Sequence, residues 1–420
     1  MLVAGCGAGV RSTPTPLPVV TVPGINPPNS SPPLTTRDEL NQRAKWTILV
    51  YLDADNDLES AGIVNFNQME MIGSTQDVHV LVQIDRIPGH DSSNGDWTDT
   101  RRYLVTRDSN SSLITSIRLD DPSTLRQAQG SGLGELDMGD WRTLKNFVEW
   151  GIKESPSDNY CLVIWDHGTG WQFRAEAVPQ RKYIALDDTS YSAINVTDLP
   201  KALAGSGLAV VAFDACLMQQ IEVAYELKGC ASYMVASAAS EPSPGYNYYA
   251  WISRATANTT PREMCGIICE EYAAAYPPPH KGITQSAIEL AKIGDVASAA
   301  SEFALLLRGS TAYWTALGAA RGSTLNYSTA DGGPNRNYFD LVDYASLCAT
   351  AIGPPAQAAD TRLASAVSSA VVAEVHNPDT PDARGLGIYV PPPGSYNTAY
   401  SSLQFAADTS WDEWLRSMGY

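Results

Sequence analysis

The amino-acid sequence predicts an α/β fold in which a mainly parallel sheet lies between two layers of helices. Four short apolar runs, rich in β-branched residues, are typical of strands that are buried on both faces. They lie at residues 46–52, 78–84, 160–165 and 208–213. Helical patterns occur between and after these runs, at residues 58–72, 141–153, 196–204 and 217–227. Strands and helices that alternate at this spacing indicate a parallel sheet covered by helices.

The second half of the chain is rich in alanine and predicts mostly helices. These are expected at about residues 261–276, 294–308, 338–351 and 355–375, followed by a strand at 385–390 and a last helix at 411–416. We therefore expect three regions: a linker at 1–43, a catalytic domain at 44–260, and a helix-rich region at 261–420 that packs on that domain and returns a strand or two to it.

Composition excludes several classes of protein. The 420 residues carry a net charge of −18 and contain no window rich in Lys or Arg, so nucleic acid is not an expected partner. No apolar run reaches the roughly 18 residues of a membrane-spanning helix. The seven cysteines lack paired short spacings, which argues against a disulfide framework and a zinc ribbon.

The first 43 residues predict an exported bacterial protein, either a cell-envelope lipoprotein or a secreted one. Residues 3–6 resemble a lipobox, in which the cysteine, here Cys6, is lipidated after cleavage. A chance match of four residues remains the alternative. The stretch that follows, at 12–36, is rich in Pro, Ser and Thr, and this composition predicts a disordered, semi-extended spacer. A lipid on Cys6 would be the only membrane attachment.

Two predicted strands are followed by residues whose side chains can take part in catalysis. One is followed by His167, and the other by Asp214 and Cys216. The carboxyl ends of parallel strands meet at one edge of a sheet, where ligands bind. A histidine and a cysteine at that edge can form a pair of general base and nucleophile.

The same edge also predicts an oxyanion hole. Gly168 lets the backbone approach a substrate closely, and its N–H and that of Cys216 are the expected donors. A helix over 217–227 would begin next to the cysteine and leave unsatisfied N–H groups there.

Several motifs occur in one order between residues 46 and 417. They are Trp46-Thr47, Val50-Tyr51, Ala54 to Glu59, Asp166-His167-Gly168 with Gly170-Trp171, Phe213 to Met218, Tyr233 to Ser237, Glu241-Pro242, Gly245 to Tyr248, Gly385 to Tyr389, and Trp411. Together they resemble the clostripain family of clan CD cysteine peptidases. The resemblance implies a caspase-like three-layer sandwich and a cysteine endopeptidase. It also implies Cys216 as the nucleophile that forms a thioester, and His167 as general acid and base.

Substrate preference follows from the same resemblance. It implies that Asp214, two residues before the cysteine, lies at the base of a pocket for Arg or Lys. A structural aspartate that bonds the adjacent turn is the alternative. Relatives often carry an acid where this chain has Pro244, so the basic preference could be weakened or altered.

The resemblance further implies an inactive precursor that is cut between the histidine and cysteine strands. The loop at 171–183 offers Arg174, Arg181 and Lys182 as candidate processing sites. An ordinary exposed loop is the alternative.

Local motifs predict neither a metal nor a cofactor. Asp53, Asp55 and Asp57 suggest a calcium loop, but an EF-hand requires glycine and glutamate where this chain has Leu58 and Val64. We interpret the three acids as favouring a helix N-terminus, and a calcium site of another kind remains open. Motifs for metalloproteases, nucleotide binding and serine esterases are also missing.

Two other functions are alternatives to an active peptidase with basic specificity. The alternatives are a surface-anchored binding protein on a peptidase scaffold that no longer cuts, and a peptidase of altered, non-basic specificity. The expected partners are protein or peptide substrates of a monomeric enzyme. Five cysteines are interpreted as structural: Cys161, Cys230, Cys265, Cys269 and Cys348.

Overall fold

A nine-stranded sheet forms the centre of the protein. The computed structural model describes residues 31–120, 132–173, 182–333 and 335–418. The strands of this sheet, in chain order, are β1 (Ala44–Ala54), β2 (Val78–Arg86), β3 (Arg101–Leu104), β4 (Ile117–Arg118), β5 (Ser157–Trp165), β9 (Leu208–Asp214), β10 (Ala231–Ala236), β11 (Thr284–Glu289) and β13 (Val371–His376). Their order across the sheet is β13-β11-β10-β9-β5-β1-β2-β3-β4.

The five central strands of this sheet, from β10 to β2, are parallel, and the two outer strands on each side are antiparallel to their neighbours. All four predicted strands lie in the parallel part. Side chains of β1 alternate between two cores: Leu49 and Tyr51 pack into one, and Ile48 and Val50 into the other. The predicted α/β sandwich with a mainly parallel sheet is confirmed.

Helices cover both faces of the sheet. One face carries α1 (Glu59–Glu70), α5 (Tyr248–Arg254) and α6 (Pro261–Ala275). The other carries α2 (Trp141–Glu154), α3 (Leu199–Leu203), α4 (Ile221–Glu226), α7 (Ile293–Gly309), α8 (Trp314–Ser323), α9 (Leu341–Ile352), α10 (Pro354–Ala370), α11 (Gln404–Asp408) and α12 (Trp411–Ser417). Among the described residues, no helix is both long and apolar enough to span a membrane.

Two small sheets complete the fold. The first contains β6 (Gly168–Phe173), β7 (Lys182–Asp187) and β8 (Ser192–Ile194), and the second pairs β12 (Tyr338–Asp340) with β14 (Gly387–Tyr389). The first begins immediately after His167, so it continues directly from the predicted site.

The carboxyl-terminal region is helix-rich, and it also completes the central sheet through β11 and β13. The sheet therefore crosses the predicted boundary between residues 260 and 261. Two helix predictions for this region were too long. Residues 338–340 form β12, and residues 371–376 form β13 because they pair with β11.

Candidate active site

The predicted catalytic residues follow two neighbouring strands. In the parallel pair of β5 and β9, Trp165 lies opposite Asp214. His167 is two residues beyond Trp165, and Cys216 is two residues beyond Asp214. Both side chains are more than nine-tenths buried. The register of two strands therefore brings the histidine and the cysteine to one edge of the sheet, as the sequence predicts.

Gly168 fits against the backbone of the cysteine turn. A Cβ atom on Gly168 would lie 2.4 Å from the carbonyl oxygen of Cys216 and 3.1 Å from its nitrogen, so no other residue type fits there without a backbone shift. The two predicted oxyanion donors thus belong to backbone segments in direct contact.

The residues after the cysteine form a turn rather than a helix, so the predicted helix over 217–227 begins too early. Leu217 has a φ of 66°, and α4 begins only at Ile221. The N–H groups of Leu217 and Gln219 donate to the carbonyls of Ala239 and Ser237 at 2.9 Å. These two N–H groups are therefore already bonded, and a helix terminus at Cys216 does not contribute to the oxyanion site.

A loop at residues 241–248 covers the sulfur of Cys216. The backbone N–H of Glu241 donates to Sγ at 3.2 Å. A donor at this position stabilises a thiolate more than a neutral thiol, because the charged sulfur is the better acceptor.

Asp57 is a partner of His167 that the sequence did not reveal. Its Oδ1 lies 2.7 Å from Nε2 of the imidazole, although 72% of the Asp57 side chain is exposed. An imidazole held at Nε2 can exchange a proton with the thiol only at Nδ1. Asp57 therefore orients the ring, and Nδ1 is the nitrogen that the predicted catalysis would use.

Asn56, which precedes Asp57, holds Asp166, the residue before His167, in place. The side-chain amide of Asn56 donates to Asp166 Oδ1 and to the carbonyl of Leu186, both at 2.8 Å. Leu186 N–H also donates to Asp166. Burial raises the pKa of Asp166 to about 7, and the neighbouring His167 opposes that rise.

Asp53, in β1, and Asp55, directly after it, do not cap a helix, contrary to our expectation. Asp53 and Asp55 are fully buried, and α1 has no side-chain cap at its first turn. The hydroxyl of Thr189 donates to Asp55 at 2.9 Å. These carboxylates are buried at the carboxyl end of β1.

Asp214, two residues before the cysteine, is buried against the 241–248 loop. Its carboxylate accepts hydrogen bonds from Tyr246 N–H at 3.0 Å and from the Tyr248 hydroxyl at 2.9 Å, and it also contacts the Glu241 side chain. Burial raises the pKa of Asp214 to about 7, and the bonds from Glu241 and the two tyrosines oppose this. Its place as a pocket base stays a prediction.

The carboxyl-terminal region holds the strand that follows His167. Trp171 is fully buried and packs edge-on against the rings of Tyr389 and Tyr400, with centroid distances of 4.7 and 4.8 Å. The hydroxyl of Tyr338 donates to the carbonyl of Thr169 at 2.8 Å. The region that completes the sheet therefore also fixes the active-site edge.

Other predicted residues lie apart from this site or outside the described part of the chain. Cys6, Arg174 and Arg181 are not described, and only the backbone of Lys182 is, as the first residue of β7.

The five cysteines interpreted as structural are buried free thiols. Burial raises the pKa of each; these residues are Cys161, Cys230, Cys265, Cys269 and Cys348. Such thiols are poor nucleophiles.

Comparison with known proteins decides the family. The model of the clostripain family matches residues 50–417. The chain belongs to the clostripain family. The family predicted from the sequence is thereby confirmed, and it is a family of cysteine-type peptidases.

Individual relatives agree with this assignment. Clostripain of Hathewaya histolytica is 27% identical over 233 residues, which are 51% of this chain and 43% of that protein. The chain thus matches less than half the length of that relative. An inactive zymogen C11 protease from Parabacteroides distasonis has a TM-score of 0.62 at 20% identity, covering 87% of this chain and 98% of that one.

Two further solved structures come from Bacteroides thetaiotaomicron. One is a secreted C11 cysteine protease called iotapain, with a TM-score of 0.63 at 15% identity over 89% of this chain and 99% of that one. The other is a secreted C11 cysteine protease in complex with an irreversible peptide inhibitor, with a TM-score of 0.59 at 20% identity over the same shares. At these identities the structures support the fold.

The contact between Asp57 and His167 leads to a test. Asp57→Asn should lower kcat for a peptide substrate about 10- to 100-fold with little change in KM, because the ring loses its orienting acceptor. The limb of the pH–rate profile that reports on the imidazole should move to lower pH, because an imidazolium without a neighbouring carboxylate loses its proton more readily.

Two variants control this test. Asp57→Glu should restore part of kcat, and Asp295→Asn, the same change on an exposed part of α7, should behave as the unaltered protein. A kcat and a pH profile of Asp57→Asn equal to those of Asp295→Asn would contradict the role given to Asp57.

Proposed function

We propose that this protein is a cysteine endopeptidase that hydrolyses peptide bonds through a thioester at Cys216. The observation that supports this most directly is the register of β5 and β9, which places His167 and Cys216 at one edge of the sheet with Gly168 against the cysteine backbone.

The proposed reaction proceeds in two halves. His167 accepts the thiol proton, and Sγ of Cys216 attacks the carbonyl carbon of the scissile peptide. The N–H groups of Gly168 and Cys216 stabilise the oxyanion that forms. When the C–N bond breaks, the imidazolium donates its proton to the leaving amine. A water molecule, deprotonated by His167, then cleaves the thioester and releases the acid.

For the substrate we propose cleavage after Arg or Lys, with Asp214 as the base of the pocket. A buried carboxylate discriminates strongly for a cation, because either charge left alone there is costly. Burial raises the pKa of Asp214 to about 7, so a bound guanidinium would draw the carboxyl into its charged form.

A changed specificity is the second candidate, and one observation favours it. The oxygens of Asp214 already accept bonds from Tyr246 and Tyr248, as a structural aspartate would. Pro244 also stands where relatives often have a second acid.

Export and self-cleavage complete the proposal. The presence of secreted proteins among the similar structures supports export of this chain, with lipidation at Cys6 as one form of it. The zymogen among them supports an inactive precursor that is cut at 171–183, with Arg174, Arg181 and Lys182 as the candidates.

Matched fluorogenic peptides that end in Arg, Lys, Asp or Ala test the function and the pocket together. We expect the purified, reduced protein to cleave after Arg or Lys, and Cys216→Ala to cleave none of them. Asp214→Asn should lower kcat/KM for the basic peptides by about 10²-fold or more, because the pocket loses its charge.

Two other results would each contradict a part of the proposal. Cleavage only after Asp or Ala would retain the catalytic pair and contradict the pocket. No cleavage of any peptide, with calcium added and after trypsin nicking near Arg181, would favour a binding protein that has lost catalysis.

Self-cleavage is tested on a denaturing gel. After prolonged incubation the active protein should separate into two fragments near residue 180, while Cys216→Ala stays whole, because only the former has the nucleophile. Equal mobility of the two proteins would show that the chain does not process itself.

A further inference from the structure

A second buried carboxyl group lies beside Asp214, at the start of the 241–248 loop. It belongs to Glu241, which is only 7% exposed and whose backbone N–H donates to Sγ of Cys216 at 3.2 Å. The Glu241 side chain forms a hydrogen bond with the carboxyl group of Asp214. The residue that lies against the proposed nucleophile therefore also reaches the proposed base of the substrate pocket.

The two side chains, which we call the carboxyl pair, share a proton. Two ionised carboxylates are both acceptors, so a hydrogen bond between them requires that one of them is protonated. Burial raises the pKa of Asp214 to about 7, and the bond from Glu241 opposes this rise. A bond that favours the charged form of Asp214 comes from a donor, so the proton lies on Glu241. Above about pH 7 the carboxyl pair therefore holds one proton and one negative charge.

Polar groups rather than cations surround the carboxyl pair. Tyr246 N–H and the Tyr248 hydroxyl donate to Asp214, and no cation is among the described groups that shift the pKa of Asp214. The hydroxyl of Tyr272 is fully buried and has no hydrogen-bond partner among the described residues. Burial, followed by Glu241, raises the pKa of Tyr272 well above its usual value. The titratable side chains that face the pair are Tyr246, Tyr248, Tyr272, Tyr276 and Cys216.

We propose that Glu241 is a second specificity-determining residue of the substrate pocket, and that Asp214 and Glu241 together bind the Arg or Lys side chain and release their shared proton. This inference deepens the proposed function and rests on it. The substrate cation donates N–H bonds to both carboxylates, and the proton passes to the solvent. One positive charge replaces another, so the net charge of the occupied pocket equals that of the empty one.

The exchange of a proton for a cation makes the pocket selective. A neutral side chain cannot replace the proton, so it gains no ionic bond from the carboxyl pair. Arg keeps its charge throughout the range in which proteins are stable, whereas the carboxyl pair titrates within that range. Because protons compete with the cation, the affinity for a basic substrate should rise with pH while the pair loses its proton.

The 241–248 loop has to move when a substrate side chain enters. Both members of the carboxyl pair are less than one-tenth exposed, so a cation reaches them only after this loop shifts. The backbone of the same loop is bonded to Sγ of Cys216. Entry of a basic side chain would thus also loosen the cover of the sulfur.

Peptide binding to Cys216→Ala tests the role of Glu241 without any need for catalysis. One peptide is short, rich in alanine and carries a single Arg, and its twin has citrulline, the neutral isostere of Arg, at the same position. We expect the Arg peptide to bind at least about 10-fold more tightly than its twin. Calorimetry at about pH 8, in two buffers of different ionisation enthalpy, should show about one proton released per bound Arg peptide and none for citrulline.

Variants in the same background assign the proton and the specificity to Glu241. Glu241→Gln should bind the Arg peptide about 10-fold or more weakly and release almost no proton at about pH 8, because Asp214 is then already charged. Binding of the citrulline peptide should hardly change. Glu149→Gln, an exposed glutamate on α2, is the matched control and should behave as the parent.

The Tm of each variant shows whether its fold is intact, since Glu241 is buried. If Glu241→Gln is strongly destabilised, Glu241→Asp replaces it. Glu241→Asp keeps the charge on a shorter side chain, and it should bind the Arg peptide with an affinity below that of the parent while releasing a proton.

Three results would overturn the inference, and they separate it from the function on which it rests. If Asp214→Asn weakens the Arg peptide and the Glu241 variant binds it as tightly as the parent, the pocket stands and Glu241 has no part in it. If the Arg peptide binds without proton release, the shared proton is contradicted. If the Arg peptide binds no better than its citrulline twin, the basic pocket itself is contradicted, and this inference with it.

Discussion

The parallel pairing of β5 with β9 is the constraint on which the site depends. Trp165 lies opposite Asp214, so the next two residues of each strand project from the same edge. A shift of one residue would turn each side chain to the other face and separate the pair. The apolar residues of both strands are buried on both faces, which fixes this register. The free energy of burying the strands therefore also brings the histidine and the cysteine to the same edge of the sheet.

This arrangement buries two carboxyl groups at the edge of the sheet, which is unfavourable in free energy. Asp166 directly follows β5 and Asp214 ends β9, and burial raises the pKa of each to about 7. Each is stabilised by donors from elsewhere in the chain, Asn56 in one case and the tyrosines of the 241–248 loop in the other. These donors thus offset part of the cost of burying two carboxyl groups next to the proposed catalytic pair.

Much of this arrangement could be predicted from the sequence, because it depends on short-range patterns. The four apolar runs are typical of buried strands. The carboxyl ends of neighbouring parallel strands lie at the same edge of a sheet, whatever the length of the segments that connect them. The contact between Asp57 and His167 could not be predicted, because it joins residues 110 positions apart through side-chain geometry. The turn after Cys216 was also missed: Leu217 has a positive φ, and carbonyls after β10 accept its N–H and that of Gln219. Residues 371–375 continue the predicted helical pattern and become part of β13 only by pairing with β11.

Alkylation of the native protein tests the central claim, that His167 activates Cys216 at the sheet edge. After brief exposure to iodoacetamide near neutral pH, peptide mapping by mass spectrometry gives the rate at each cysteine. We expect Cys216 to react far faster than the five buried structural cysteines, and His167→Ala to abolish the difference. Equal rates at Cys216 and those cysteines, or an unchanged rate in His167→Ala, would contradict it.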